Sequence, residues 1–91
     1  GNLNAVDVAG EFEVKTTPVP GGHLIIKPEA KDSRPFVLAI VEDMTVRLPG
    51  WMTGTDIKNE KYKRADQYDR VTYWVPQSDL HHMSTLPREM P

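Results

Sequence analysis

The sequence predicts a small domain of the α+β class that is mostly β, with a curved, largely antiparallel sheet of five or six strands and little helix. Three observations support this. Short runs of β-branched and aromatic residues recur along the chain. Clusters of glycine and proline separate these runs. No long stretch has apolar residues at helical spacing. With 91 residues, the chain suits one domain (residues 1–91) near the lower size limit for a single core.

The opening strands are predicted to form a tight hairpin. Residues 6–8 and 11–17 alternate apolar and polar side chains, and Gly10 sits in the loop between them, where a positive φ is favoured. With a three-residue loop, Asp7 lies directly opposite Glu13. The same register places Asp7, Glu13 and Lys15 on one face and the apolar side chains on the other.

Four further strands are expected, at residues 23–27, 36–41, 45–48 and 70–75, the third of which leads through Pro49 and Gly50 into Trp51 and Met52. The run 36–41 is the most hydrophobic and is taken as the central strand. The run 23–27 has three consecutive apolar residues, which indicates cover on both faces. Residues 54–69 are polar and loop-like, with Thr55 the expected N-cap of a helical turn that begins at Asp56.

Composition limits the function classes. The formal net charge is −2 and the isoelectric point about 5.9, so there is no global basic field of the kind that strong nucleic-acid binders carry. The absence of cysteine excludes disulfides and thiolate metal sites and fits a reducing compartment such as the cytoplasm. No apolar run is long enough for a membrane span. Because the hydrophobic content is lean, we expect either a compact core or a core that a partner completes, the partner being a second copy of the chain or an N-terminal segment of a longer protein.

The hairpin carries the strongest chemical signal. Opposed carboxylates repel, so Asp7 facing Glu13 is better tolerated when a cation lies between them. Both are hard oxygen ligands that suit Mg²⁺, and the Val14 carbonyl offers another. Lys15, on the same face, is placed to stabilise charge on a phosphate or to orient water. The alternative is a solvent-facing strand in which Glu13 and Lys15 are ordinary exposed residues.

Other candidates are weaker. The three histidines, His23, His81 and His82, have no spacing typical of a zinc site. Trp51 and Trp74 are either core residues or base-stacking platforms. The basic residues between 58 and 70 either contact phosphates or form a solvated loop with interleaved acids.

A resemblance emerges from the order of short motifs. The motifs are Asp-Val-x-Gly (7–10), Glu-Val-Lys-Thr-Thr (13–17), Gly-x-Leu-Ile-Ile (22–26), Phe-Val-Leu (36–38), Gly-Trp-Met-x-Gly (50–54) and Val-Pro-Gln-Ser-x-Leu-x-x-Met (75–83). This order resembles the C-terminal half of an uncharacterised group of phage and viral-metagenome proteins, which in turn resemble the restriction-endonuclease-like PD-(D/E)XK fold.

The resemblance implies a metal-dependent nuclease with Asp7, Glu13 and Lys15 as catalytic residues, Asp7 and Glu13 as Mg²⁺ ligands, and DNA as partner in the cytoplasm of a bacterial host. Two departures weaken it. Longer members have an N-terminal helix with a further glutamate, which this chain lacks, so the chain is expected to be a fragment or a partial site. Many members also have arginine where Lys15 stands.

Three functions therefore follow as expectations. The first is a Mg²⁺-dependent DNA nuclease or its inactive remnant. The second is a non-catalytic β-rich binding or assembly module, in the form of a small dimer. The third and weakest is a binder of single-stranded nucleic acid that uses aromatic residues and the basic region 58–70.

Overall fold

The computed structural model describes residues 12–87, and these form two small sheets. The strands are β1 (Glu13–Thr17), β2 (Leu24–Ile26), β3 (Pro35–Glu42), β4 (Thr45–Thr53), β5 (Lys63–Ala65) and β6 (Val71–Val75). One short helix, α1, spans Gly54–Ile57, and 3₁₀ turns cover Glu60–Tyr62, Gln77–Asp79 and Met83–Thr85. The mostly β class with six strands and little helix is confirmed.

The strands divide between two sheets rather than forming the single curved sheet expected. The mixed sheet has the order β1-β3-β4, and the antiparallel sheet has the order β2-β6-β5. The breaker run 18–22 directs β2 into the second sheet. The chain therefore returns to the first sheet at β3, which pairs parallel to β1. A parallel pair needs such a crossover, whereas a sequential antiparallel order does not.

The core lies between the two sheets. The mixed sheet contributes Phe36, Leu38, Ile40 and Met52, the antiparallel sheet contributes Leu24, Ile26 and Val75, and Ile57 and Tyr62 close one end. The prediction of a central β3 is confirmed, since β3 has a neighbour on each side and residues 36–40 are all buried.

The segment 54–69 is more ordered than its polar composition predicts. Helix α1 begins two residues earlier than expected, because Thr53, not Thr55, accepts the hydrogen bond from the Asp56 amide. The Thr55 hydroxyl instead donates to the Asp32 carbonyl. Strand β5, absent from the predicted elements, pairs antiparallel with β6. All three of its residues are exposed, so it carries no apolar pattern that a sequence could reveal.

Candidate active site

Glu13 and Lys15 lie on the same face of β1. In the parallel register Glu13 pairs with Phe36 and Lys15 with Leu38, and both partners belong to the core. Residues that pair across neighbouring strands point to the same face of a sheet. The side chains of Glu13 and Lys15 therefore extend along the margin of the core. The alternate residue Val14 is 48% exposed. Charged side chains thus occupy the half-buried positions of β1, and the apolar side chain faces outward.

Glu13 is in contact with two cations. The Lys15 Nζ lies 3.0 Å from Glu13 Oε2, and Arg34 Nη1 lies 3.7 Å from Glu13 Oε1. The side chains of Glu13 and Lys15 remain 41% and 40% exposed. An ion pair this open contributes little to stability, because water screens it. Each oxygen of Glu13 therefore already faces a cationic group, and a metal ion bound at this carboxylate would compete with Lys15 and Arg34.

Arg34 was not predicted as a site residue. It reaches Glu13 because the connection between β2 and β3 is fastened to α1. The Gly54 amide donates to the Arg34 carbonyl at 3.0 Å, and Lys58 pairs with Asp32 at 2.6 Å. A side chain at position 54 is excluded, since its Cβ would lie 2.2 Å from the Lys31 carbonyl oxygen. The glycine that ends the Gly-Trp-Met-x-Gly motif thus permits the packing that positions Arg34.

The glycine that begins the same motif allows a second close approach. A Cβ at Gly50 would lie 2.5 Å from the His81 carbonyl oxygen and 2.6 Å from the Leu80 Cβ. Trp51 and His81 exchange two backbone hydrogen bonds beside it, of 3.1 and 2.9 Å. The motif therefore secures the segment that follows β6 against β4. Trp51, at 8% exposure, is a packing residue and not a free stacking platform.

The Val-Pro-Gln block has a structural role as well. The Gln77 side-chain amide donates to the carbonyls of Pro20 and Gly22, both at 2.9 Å. Its oxygen accepts a hydrogen bond from Arg47, which also donates to the Pro20 carbonyl at 2.8 Å. Gln77 thus ties the turn between β1 and β2 to the end of β6, and it fixes the direction in which β1 ends.

The other acid of the predicted site, Asp7, lies outside the described residues, as does most of the predicted hairpin. Within residues 12–87, no group of three or more histidine, aspartate or glutamate side chains is placed to hold a metal ion. The donor chemistry of Glu13 is that of a Mg²⁺ ligand, with hard carboxylate oxygens open to solvent. The described part of the site thus consists of one potential ligand, Glu13, and two cationic groups, Lys15 and Arg34.

A polar cavity of about 440 Å³ lies between α1 and the segment after β6. The Tyr62 hydroxyl donates to Asp79 Oδ2 at 2.7 Å. Burial of the phenol, reinforced by this hydrogen bond, raises the pKa of Tyr62 above its usual value. His81 Nε2 lies 3.9 Å from Asp56 Oδ2. These groups form two separate pairs, so we assign them a structural role.

Among residues 12–87, no helix has the length and apolar character needed to cross a membrane. Comparison of the chain with protein-family models, with curated proteins and with solved structures finds no match.

Proposed function

We propose that the chain is a metal-dependent DNA nuclease, or the inactive remnant of one, which acts on phosphodiester bonds in the cytoplasm of a phage-infected bacterial cell. The observation that carries the proposal is the half-buried cluster at the margin of the core. It brings one carboxylate, Glu13, within ion-pair distance of Lys15 and Arg34. The motif order that resembles phage proteins of the PD-(D/E)XK type supports the same chemistry.

Each residue has a distinct role in the proposed reaction. Glu13, with Asp7, would hold Mg²⁺, which when bound polarises the phosphate and lowers the pKa of a coordinated water. Lys15 stabilises the negative charge that develops on the phosphate oxygens. Arg34 binds a second phosphate oxygen, for which its planar guanidinium is suited. When no substrate is bound, Lys15 and Arg34 pair with Glu13. In the proposed reaction these two side chains turn from Glu13 to the phosphate.

The test is cleavage of supercoiled plasmid DNA with Mg²⁺ and with EDTA. We expect the wild-type protein to nick the plasmid only with Mg²⁺, Glu13→Gln to abolish nicking, and Lys15→Ala to slow it about 10²–10³-fold, as removal of one charge-stabilising donor does. Asp7→Asn should match Glu13→Gln. The matched control is Glu60→Gln, because the Glu60 side chain is 87% exposed and pairs only with Lys63 among the described residues.

Two results would contradict the proposal. If Glu13→Gln nicks DNA at the wild-type rate, the carboxylate is not a ligand. If the wild-type protein shows no Mg²⁺-dependent cleavage, the active-enzyme form fails. Calorimetric titration with Mg²⁺ then separates the remnant from an unrelated function, since a remnant that keeps the site binds Mg²⁺ and loses that binding in Glu13→Gln.

The second candidate is a dimeric assembly module, and an exposed apolar patch favours it. The outer ends of β3 and β4 expose Val41, Met44, Val46 and Leu48, with Met44 99% exposed. Val41 and Val46 pair across the two strands, so the patch is a continuous apolar surface of the kind that interfaces use. Trp51 is buried and contributes nothing to this patch. Light scattering tests this candidate: a monomeric mass at high protein concentration excludes the dimer.

A further inference from the structure

The outer face of the antiparallel sheet carries side chains that the proposed nuclease chemistry does not use. Leu24 pairs with Val75 and contributes to the core, so the next pair along, Ile25 with Trp74, faces away from it. By the same alternation, Arg64 and Thr72, which also pair, face outward beside Trp74.

Trp74 is held in a fixed orientation on this outer face. Its indole N–H donates to the Thr72 hydroxyl at 2.8 Å. The Arg64 guanidinium lies over the ring, 4.3 Å from the ring centre, and the His23 ring meets its edge at a centroid distance of 5.6 Å. A partly exposed tryptophan with an arginine stacked on it is a preorganised surface for a further planar group, because both the indole and the guanidinium stack on nucleobases.

An open cavity of about 730 Å³ adjoins Trp74. Lys27, Arg64 and Arg70 supply cations to its lining. Among the described residues, neither Lys27 nor Arg64 has a carboxylate partner. The two cations are therefore available to an anionic ligand.

The acidic side chains of the cavity do not cancel this charge. Asp66 is engaged by the loop between β5 and β6, accepting from the amides of Tyr68 and Arg70 and from Arg70 Nε at 2.6 Å. Glu29 is the other carboxylate of the lining. Arg70 and Asp66 therefore neutralise each other, which leaves Lys27 and Arg64 facing one acid, Glu29.

We propose that this face binds single-stranded nucleic acid, with one base stacked against the Trp74–Arg64 pair and a flanking phosphate contacted by Lys27. Stacking favours a single strand, since the bases of a duplex are already stacked on each other and their faces are not accessible. The overall negative charge of the chain keeps the binding modest, and the contact between cation and phosphate makes it weaken as salt rises. The site needs neither Mg²⁺ nor Glu13, so it stands apart from the proposed nuclease chemistry.

The test is fluorescence anisotropy of a labelled single-stranded oligothymidylate of ten nucleotides, measured in EDTA at low salt. We expect Trp74→Ala to weaken binding by about 5- to 150-fold, as loss of one base–aromatic stack does. Arg64→Glu should weaken it comparably and reduce the salt dependence. Lys63→Glu is the matched control. Lys63 lies on the same strand as Arg64 but pairs with Tyr73, so its side chain is on the opposite face of the sheet from Trp74. It should bind as the wild type does.

Folding of each variant is checked by circular dichroism. Arg64→Glu, at an exposed position, keeps the test valid if Trp74→Ala does not fold. Quenching of Trp74 emission on binding, absent from Trp74→Phe, provides independent support. Three results would overturn the proposal: no binding, binding that Arg64→Glu and Lys63→Glu weaken equally, or binding of duplex in preference to single strand. Because EDTA removes the metal, Glu13→Gln should bind normally; if only that variant loses binding, the oligonucleotide occupies the nuclease site instead.

Discussion

Substitution of Gly50 by alanine tests the packing role of the Gly-Trp-Met-x-Gly motif. The added Cβ would lie 2.5 Å from the His81 carbonyl oxygen, whereas ordinary contact begins at 3.4 Å. The obstacle is backbone and cannot rotate away. The segment after β6 must therefore move by roughly an ångström, which strains or breaks the two hydrogen bonds between Trp51 and His81.

The expected cost follows from those contacts. Each hydrogen bond contributes about 0.5–1.5 kcal/mol net, so the loss of both lowers the free energy of unfolding by about 1–3 kcal/mol. Overpacking of a tight site costs a similar amount. For a domain of this size, each kcal/mol lowers Tm by about 4–8 °C.

The assay is urea unfolding followed by tryptophan emission in a Trp74→Phe background, which leaves Trp51 as the sole reporter. Because the Trp51 indole donates to the His82 carbonyl and the Thr85 hydroxyl, displacement of the segment should also shift its emission to longer wavelength. Gly21→Ala is the control, since a Cβ there meets no atom within 4 Å. A Gly50→Ala protein within 0.5 kcal/mol of its background, with unchanged emission, would refute the packing role.

Two further predictions concern pH. The raised pKa of Tyr62 means that above about pH 10 the unfolded chain loses this proton before the folded protein does, so stability falls as pH rises through the folded pKa. Tyr62→Phe should reduce that alkaline loss in thermal melts between pH 8 and 11, and an unchanged slope would contradict the assignment. The pKa of Asp66 is lowered, chiefly by the hydrogen bond from the Arg70 amide, so its stabilisation is present above about pH 3.8 and is lost as pH falls through the folded value. Asp66→Asn should therefore be less stable than wild type at pH 7, and the gap in urea midpoint should narrow toward pH 3; a constant gap would show that the charge of Asp66 is not involved.

Much of the fold could be predicted because apolar patterning reports burial directly. The run 36–41 is hydrophobic at every position, and β3 is accordingly the central strand of the mixed sheet. The breaker cluster 18–22 correctly marked the end of β1. Strand β5 could not be predicted in this way, because its three residues are all exposed. It is held by backbone pairing with β6, which does not depend on the type of side chain.

Part of the candidate site was also accessible from the sequence. Alternation along a strand has a period of two, so Glu13 and Lys15 had to share a face. Arg34 could not be found by spacing, since it lies 21 residues beyond Glu13 in a polar connection with no motif of its own. Its approach depends on Gly54 and on the ion pair between Lys58 and Asp32, which are contacts between elements distant along the chain.

By itself, the sequence determined local properties: which segments are extended, where they end, and which neighbouring side chains lie on one side of a strand. These depend on interactions between residues a few positions apart. Only the tertiary structure decided that β1 and β3 run parallel, that the strands divide into two sheets, and that Trp51 is buried while Trp74 faces outward beside Arg64. Those outcomes depend on which surfaces meet across the core, and the contrast between the two tryptophans comes from what the rest of the chain packs against each of them.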